Sequence, residues 1–207
     1  MEKELIIARH FDFFQDFGFL FHNSHGLFYK NFPLGKQAIF IHYTEYGEEA
    51  YLEYNLGVRI DRVEELIHQY LPTLKDYADR SLTLIQSAHS IDQSLPNRFL
   101  LDQSMLLSEA QLVAEEFFVK NGFAWLDRMI DPKNLQQEFY AKKTEGFKSQ
   151  NYAYHVFRAT ALAKLYAPEN YQELRTFFLS HLEHRGITPF TIASYLQFLN
   201  QLDKMDH

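Results

Sequence analysis

The chain has 207 residues and a net charge of −7, because 20 lysines and arginines stand against 27 aspartates and glutamates. This length is enough to bury a sizeable core, and the acidic balance argues against a nucleic-acid-binding protein, which needs basic side chains to meet phosphates. The chain has no cysteine, which excludes disulfides, thiolate metal sites, iron–sulfur clusters and a cysteine nucleophile.

No apolar run approaches the roughly 20 residues that a membrane-spanning helix needs. The first residues, Met1-Glu2-Lys3-Glu4, lack the basic and then apolar order of a signal peptide. Together these features predict a cytoplasmic protein without a membrane partner.

The first 16 residues predict an amphipathic helix, because apolar side chains recur there with helical spacing. The more apolar side of this helix is formed by Ile6, Ile7, His10, Phe13, Phe14 and Phe17. Gly18 is a suitable stop for the helix, since glycine adopts a positive φ without a steric penalty.

From Phe17 to Arg59 the apolar pattern changes to a period of two, which is typical of strands. The clearest strand covers residues 50–59, and one face of it carries Ala50, Leu52, Tyr54, Leu56 and Val58. Turn residues at 23–26, 33–35 and 46–49 separate the strands by short connections, which predict an antiparallel meander of four strands. Residues 82–88 can add a fifth strand.

The next segments carry weaker signals. Asp61 is predicted to cap a helix that Pro72 stops, whereas residues 74–101 are hard to assign. Ser108 is predicted to cap a further helix that Asn121-Gly122 closes.

Helical spacing dominates the last part of the chain. Three strong helices are predicted: one ends at Ala167-Pro168, one ends at Gly186, and one begins at Thr188-Pro189. The fold class is therefore α+β, with an N-terminal helix and a four- or five-stranded antiparallel meander followed by a helical C-terminal half. The predicted division is a sheet part, residues 1–104, and a helical part, residues 105–207, packed as one globular unit.

Histidines are the first candidates for chemistry. His22 and His25 flank a turn, and His42 can lie on a neighbouring strand, so the three imidazoles together can bind a divalent ion. Because no acidic ligand accompanies them at a fixed spacing, the sequence predicts no metal and no cofactor.

Other catalytic patterns are missing from the sequence. The pairs Glu48-Glu49, Glu64-Glu65 and Glu115-Glu116 are predicted to lie on solvated faces, because neighbouring helical residues point about 100° apart. With only eight glycines, the chain contains no glycine-rich phosphate loop, and it lacks the Gly-x-Ser-x-Gly motif of serine hydrolases.

The aromatic content is high, with 20 phenylalanines and 13 tyrosines. Tyr51, Glu53, Asn55 and Arg59 are predicted to line the second face of the clearest strand, with Tyr43 beside them. Tyrosine and arginine are favoured at protein interfaces, so these five residues are candidate binding residues. The alternative is that the helical half covers this face and the polar groups satisfy one another inside.

The run from Gly18-Phe19 to Phe28-Tyr29, together with Ile39-Phe40-Ile41 and Asn55-Leu56-Gly57-Val58, resembles an uncharacterised bacterial domain-of-unknown-function family. The resemblance covers about the first 70 residues and implies a leading helix, a Gly-Phe strand, a meander and an Asn-Leu-Gly strand. It implies no activity. Some small α+β domains of this general appearance act as immunity proteins in bacterial toxin systems, which is an analogy of fold.

The sequence thus favours a non-catalytic, immunity- or adaptor-like module that binds another protein through aromatic and acidic surface. One alternative is a small enzyme or small-ligand binder with a pocket between sheet and helices, lined by His42, Tyr54 or His155. Another is a self-associating protein whose last helix uses Ile192, Leu196 and Leu199 at the contact. The sequence does not determine the oligomeric state.

Overall fold

A computed structural model describes residues 3–47, 49–71, 75–102 and 105–205 of the chain. The predictions that concern Glu48, Pro72, Leu74 and Ser104 themselves lie outside the described residues. The described part combines an antiparallel sheet with numerous helices and confirms the α+β class.

The chain forms two compact units. The first unit contains residues 1–59 and 84–128, and the second contains residues 60–83 and 129–207. The sequence predicted a division into a sheet part, residues 1–104, and a helical part, residues 105–207. That division stays a prediction.

The sheet has six strands among the described residues. They are β1 (Leu20–His22), β2 (Leu27–Phe32), β3 (Gly35–Tyr46), β4 (Glu49–Ile60), β5 (Leu84–Ser87) and β6 (Phe99–Leu101). Strands β1 to β5 follow one another in chain order, as an antiparallel meander does, which confirms that prediction.

Strand β6 was not predicted, and it lies beside β5 on the same edge of β4. Residues 55–58 of β4 pair with β5, and residues 50–52 pair with β6. A strand of three residues carries too short a pattern to be recognised in a sequence. The long β4 thus has two short partners along one edge.

The α-helices lie before, between and after the strands in the chain. They are α1 (Lys3–Ala8), α2 (Phe11–Asp16), α3 (Asp61–Ile67), α4 (Lys75–Ala78), α5 (Ala88–Ile91), α6 (Leu107–Phe117), α7 (Phe123–Met129), α8 (Pro132–Ala141), α9 (Tyr152–Tyr166), α10 (Tyr171–His184) and α11 (Pro189–Lys204). No helix among the described ranges is long and apolar enough to cross a membrane.

The predicted N-terminal helix is broken into α1 and α2 at His10. The backbone N–H of His10 bonds Ile7 O at 3.0 Å rather than continuing the α-helical pattern, and the buried imidazole bonds Ile6 O at 2.8 Å. Gly18 stops α2 as predicted, with a φ of +82° and a hydrogen bond from its N–H to Gln15 O.

The core of the first unit is aromatic. Phe14 is fully buried, and its ring centre lies 4.7 Å from that of Phe28 and 4.9 Å from that of Phe118. The predicted inward face of β4 is confirmed, since Leu52 and Leu56 are fully buried. Edge-to-face and offset rings of this kind add to the stabilisation from burial.

Two predicted helix caps are displaced. Helix α3 begins at Asp61, so Ile60 takes the cap position and its N–H donates to Thr83 Oγ1 at 2.9 Å. Helix α6 begins before Ser108, and the side chain of Glu109 accepts from the Leu106 N–H at 3.0 Å. In both places a side chain accepts from the N–H of the cap residue itself, which is a different donor from the N–H groups of the first turn that a capping side chain usually satisfies.

The predicted helix end at Asn121-Gly122 is wrong. Helix α6 continues through a π-helical turn, Phe118–Gly122, directly into α7. A Cβ on Gly122 would lie 2.9 Å from Phe118 Cδ1 and 3.1 Å from Phe117 Cε1. Glycine is thus needed there for close packing, and not for a helix stop.

The second unit is built around α9, which is buried continuously from His155 to Ala163. Its predicted end at Ala167-Pro168 is confirmed, and so is the start of α11, where Thr188 Oγ1 accepts from the Thr191 N–H. Asn151 caps α9 by accepting from the Ala153 N–H at 2.8 Å. Local signals therefore locate these helix ends well.

Candidate functional site

The outward face of β4 carries four of the five candidate binding residues. Because side chains alternate along a strand, Tyr51, Glu53, Asn55 and Arg59 all lie opposite the buried face of β4. Tyr51, Glu53 and Asn55 are half-buried, whereas Arg59 is buried. The outward face of β4 is therefore partly exposed to solvent near residue 49 and buried near residue 59.

Tyr51 is held from three sides. Its hydroxyl donates to Glu49 Oε2 at 2.5 Å, the Arg98 guanidinium lies 4.1 Å from its ring centre, and the ring of Tyr46 meets it edge-on at 6.0 Å. The hydrogen bond to Glu49 raises the pKa of the Tyr51 phenol. The phenol is thus fixed as a donor.

Tyr43 does not lie beside Tyr51. It has the same parity along β3 as Ile39 and Ile41, which are buried, so it lies on the core face of the sheet near the hairpin end. Its hydroxyl donates to Glu45, and partial burial together with this bond raises the pKa of Tyr43 to about 12.

The end of the β3–β4 hairpin has a distinctive composition. Residues 43–53, which we call the acidic hairpin, include three tyrosines and four glutamates and no lysine or arginine. Tyr46 at its end is 64% exposed. The acidic hairpin therefore presents aromatic and negatively charged groups to solvent without cations of its own.

A buried ion pair occupies the second unit. Glu64 on α3 is fully buried, so the prediction that Glu64-Glu65 forms a solvated face is wrong for Glu64. The Arg158 guanidinium on α9 donates Nε to Oε1 at 2.9 Å and Nη2 to Oε2 at 2.8 Å. Burial opposes the charged carboxylate, but Arg158 overcomes it and holds the pKa of Glu64 well below its usual range.

His68 and Ser81 extend this ion pair without forming a catalytic triad. The Nε2 atom of His68 lies 2.7 Å from Ser81 Oγ and 3.5 Å from Glu64 Oε2. A serine triad needs the hydroxyl on one imidazole nitrogen and the carboxylate on the other. Here both oxygens face the same nitrogen, so Glu64 does not orient His68 as a base for Ser81.

Sequence reasoning missed the Glu64–Arg158 pair, although a signal was present. Arg158 is the only charged residue between Tyr152 and Ala163, in a helix whose other residues are mostly apolar. A lone arginine in such a stretch requires an anionic partner if the helix is buried. The position of that partner, on α3, could not be read from local spacing.

His155 is the most unusual titratable group in the second unit. It is fully buried, and neither ring nitrogen has a hydrogen-bond partner. Its ring is stacked on Phe139 at 5.0 Å and on Tyr152 at 5.6 Å between centres, and Phe147 approaches at 5.3 Å. Burial and the nearby positive charges lower the pKa of His155 to about 4.

Tyr54 and His42, the other residues of the ligand-pocket hypothesis, lie in the first unit. Tyr54 is buried and its hydroxyl lies 2.8 Å from His10 Nε2, while His10 Nδ1 lies 2.8 Å from Ile6 O. Nδ1 is therefore the donor and Nε2 the acceptor from the phenol, which fixes a neutral imidazole. His42 is exposed.

The sequence suggested that His22, His25 and His42 can together bind a divalent ion. The rings of His22 and His25 are stacked in parallel with centres 3.9 Å apart, whereas metal ligands point ring nitrogens at a common centre. Among the described residues, no group of three or more histidines, aspartates or glutamates can hold a metal ion.

Comparison with protein-family models, with curated proteins and with solved structures finds no match for this chain. The resemblance to an uncharacterised bacterial family therefore stays a prediction.

Proposed function

We propose that the protein is a non-catalytic binding module that docks another protein, one with a basic surface, on the acidic hairpin. The observation that carries this proposal is the exposed end of the hairpin, where Tyr46 and Tyr51 lie among glutamates in a segment without lysine or arginine.

The tyrosines are pre-ordered for binding. The hydroxyl of Tyr51 is tied to Glu49, and its ring is covered on one face by Arg98. Side chains already fixed in the free protein lose less conformational entropy on association. Tyrosine and arginine are also the residues that most often contribute large binding energies at interfaces.

The negative charge of the acidic hairpin favours a partner with a basic surface. Glu49 is exposed and Glu53 is half-buried, and the whole chain carries a net charge of −7. A partner with a basic face gains complementary contacts, and long-range attraction speeds its association.

The titratable groups favour binding over catalysis. The carboxyl groups with clearly shifted pKa values in the described residues, Glu45, Glu64, Asp92 and Glu173, all shift downward. A general acid at neutral pH needs a raised carboxyl pKa. These four groups are stabilised as anions instead, which suits ion pairing.

The test is photo-crosslinking inside cells of the source organism. A photoreactive phenylalanine analogue replaces Tyr46 in one variant and the exposed Tyr77 of the second unit in a control. If the proposal is correct, the probe at position 46 forms a discrete adduct with a basic protein, and the probe at position 77 does not.

Charge reversal then decides whether the acidic hairpin is responsible. Glu49→Lys with Glu53→Lys is expected to abolish the adduct, whereas Glu65→Lys with Glu183→Lys, at exposed positions of the second unit, leaves it unchanged. An adduct that survives reversal at residues 49 and 53, or the absence of an adduct specific to position 46, contradicts the proposal.

A further inference from the structure

His155 lies under a short segment that closes over it. Residues 142–151 connect α8 to α9 and place Phe147, which is only 7% exposed, against the imidazole and Phe139. The imidazole is thus enclosed by aromatic rings, and neither of its nitrogens has a hydrogen-bond partner.

Side chains of α9 and of the residue after α10 fasten the segment by hydrogen bonds. The Tyr152 hydroxyl donates to Lys143 O at 2.7 Å, and Arg185 Nη2 donates to Thr144 O at 2.6 Å. The Arg185 guanidinium also lies 4.0 Å from the centre of the Tyr152 ring. Near the other end of the segment, the Gln150 side chain donates to Thr83 O at 3.0 Å and accepts from Arg158 Nη1 at 3.3 Å. Hydrogen bonds near both ends therefore hold the segment closed.

The buried imidazole gains nothing from hydrogen bonding in the closed state. Water would satisfy both ring nitrogens, whereas neither has a partner in this enclosure. A buried polar group without a partner carries its full desolvation cost, so the closed segment keeps His155 in an unfavourable environment that opening would relieve.

The charges that face His155 disfavour its protonation. Arg158 on α9 and Arg185 after α10 both act on the ring as positive charges. From α8 the contacting side chain is Phe139, and from α10 it is Phe178. Tyr152, whose ring stacks on the imidazole, is a further titratable neighbour among the described residues.

Other titratable groups nearby lie one layer further out. His181 of α10 stacks on Phe177 and approaches the Tyr152 ring at 5.7 Å. Lys143 of the segment is paired with Glu173 of α10 at 2.6 Å. The Glu173 carboxylate is therefore already engaged with a cation.

We propose that residues 142–151 form a pH-sensitive latch over His155. The closed latch holds the imidazole neutral, and only the open state allows it to be protonated. Mildly acidic solution therefore releases the latch. Release carries Phe147 away from His155 and from Phe139, and so opens the buried imidazole and the Phe139 ring to solvent.

The expected size of the effect follows from the two protonation states. His155 has an ordinary pKa of 6.5 when solvated and about 4 when enclosed. The open state therefore takes up a proton over this range while the closed state does not, and the opening equilibrium constant rises about 30-fold between pH 7.5 and pH 5.

Hydrogen exchange of the full chain, corrected for the intrinsic pH dependence of exchange, measures this opening. The Gly146 and Gln150 amides are hydrogen-bonded within the segment and report its release. The unmodified protein is expected to show the full pH effect, and His155→Phe, which keeps a ring but cannot be protonated, less than about a 3-fold change.

Tyr152→Phe is the matched variant, because it removes the bond to Lys143 O and retains the ring. It is expected to open more at both pH values with the same ratio between them. An equal pH effect in His155→Phe and in the unmodified protein overturns the proposal.

A second measurement does not depend on whether the variants fold. Nitrogen-15 NMR of the unmodified protein follows the His155 ring during a pH titration. The closed latch is expected to keep this ring neutral well below pH 6.5, the ordinary pKa of a histidine. A ring that titrates at its ordinary pKa while the Gly146 and Gln150 amides stay protected from exchange overturns the proposal.

Discussion

Arg158 and Glu64 are separated by 94 positions in the chain, yet they form a two-point ion pair inside the second unit, with distances of 2.9 and 2.8 Å. The pair joins α9 to α3, and neither side chain is open to solvent, since they are 7% and 0% exposed. Such a pair specifies one arrangement of two helices, because each buried charge requires the other.

Breaking this pair is expected to destabilise the protein strongly. Glu64→Gln leaves the Arg158 guanidinium buried without a counter-charge, and the expected loss in the free energy of unfolding is about 3 kcal/mol or more. Urea denaturation at pH 7 measures it. The neighbouring Glu65 is exposed, so Glu65→Gln is the control and is expected to change the unfolding free energy by less than about 0.5 kcal/mol. Equal effects of the two substitutions contradict the assigned role of Glu64.

The same pair predicts how stability depends on acid. Arg158 lowers the pKa of Glu64 from an ordinary value of 4.5, so the folded state holds this carboxylate ionised when the unfolded chain has begun to protonate it. The stabilisation is complete above pH 4.5 and is lost as the pH falls below that value. Urea denaturation of the protein and of a variant with Glu64→Leu and Arg158→Met checks it. The double variant is expected to lose less stability between pH 4.5 and 3, and an identical slope would refute the linkage.

In the first unit, His10 and Tyr54 form a buried hydrogen bond between uncharged side chains. Tyr54→Phe removes the donor that lies 2.8 Å from His10 Nε2 and leaves a buried acceptor unsatisfied, at an expected cost of about 1–3 kcal/mol. Thermal and urea denaturation measure this loss. Tyr46→Phe, at a position 64% exposed, is the matched control with little expected effect. A stability unchanged by Tyr54→Phe would show that the hydrogen bond contributes nothing net.

Gly122 tests the packing of the π-helical turn. In an ordinary helix, glycine to alanine stabilises by up to about 1 kcal/mol, but a Cβ here would lie 2.9 Å from Phe118 Cδ1. Phe118 is only 1% exposed, so its ring has no room to move, and Gly122→Ala is expected to cost about 1–3 kcal/mol. Gly26→Ala is the comparison: its φ is +62° and nothing lies within 4 Å of an added Cβ, so only backbone strain acts. A stabilised Gly122→Ala variant would mean that the turn can repack.

Local patterns in the sequence predicted most of the secondary structure. The period of two from residue 50 to 59 identified β4 and both of its faces, because strand geometry places alternate side chains on opposite sides. The Thr188-Pro189 start of α11 was likewise predictable, since a helix cap involves neighbouring residues only. The outward-facing Tyr51 and Glu53 of the acidic hairpin, and Asn55 beyond it, follow from the same alternation.

Contacts between distant parts of the chain decided the rest. Sequence spacing placed Arg59 on the correct face of β4 but could not tell that it is buried while Tyr51 is half-open. Nor could it distinguish Glu64 from Glu65, because their difference arises from Arg158 on another helix. The π-helical turn at Gly122 likewise depends on how Phe117 and Phe118 pack.

The sequence by itself therefore determined the four strands of the meander, several helix ends and the side of β4 that faces inward, but not β6, the break at His10 or the π-helical turn. Only the tertiary structure decided which polar groups lose their water, and whether a partner replaces it, as Arg158 does for Glu64, or does not, as at His155. The physical reason is range: helix and strand periodicity act over a few residues, whereas desolvation and ion pairing depend on every chain segment that surrounds a group.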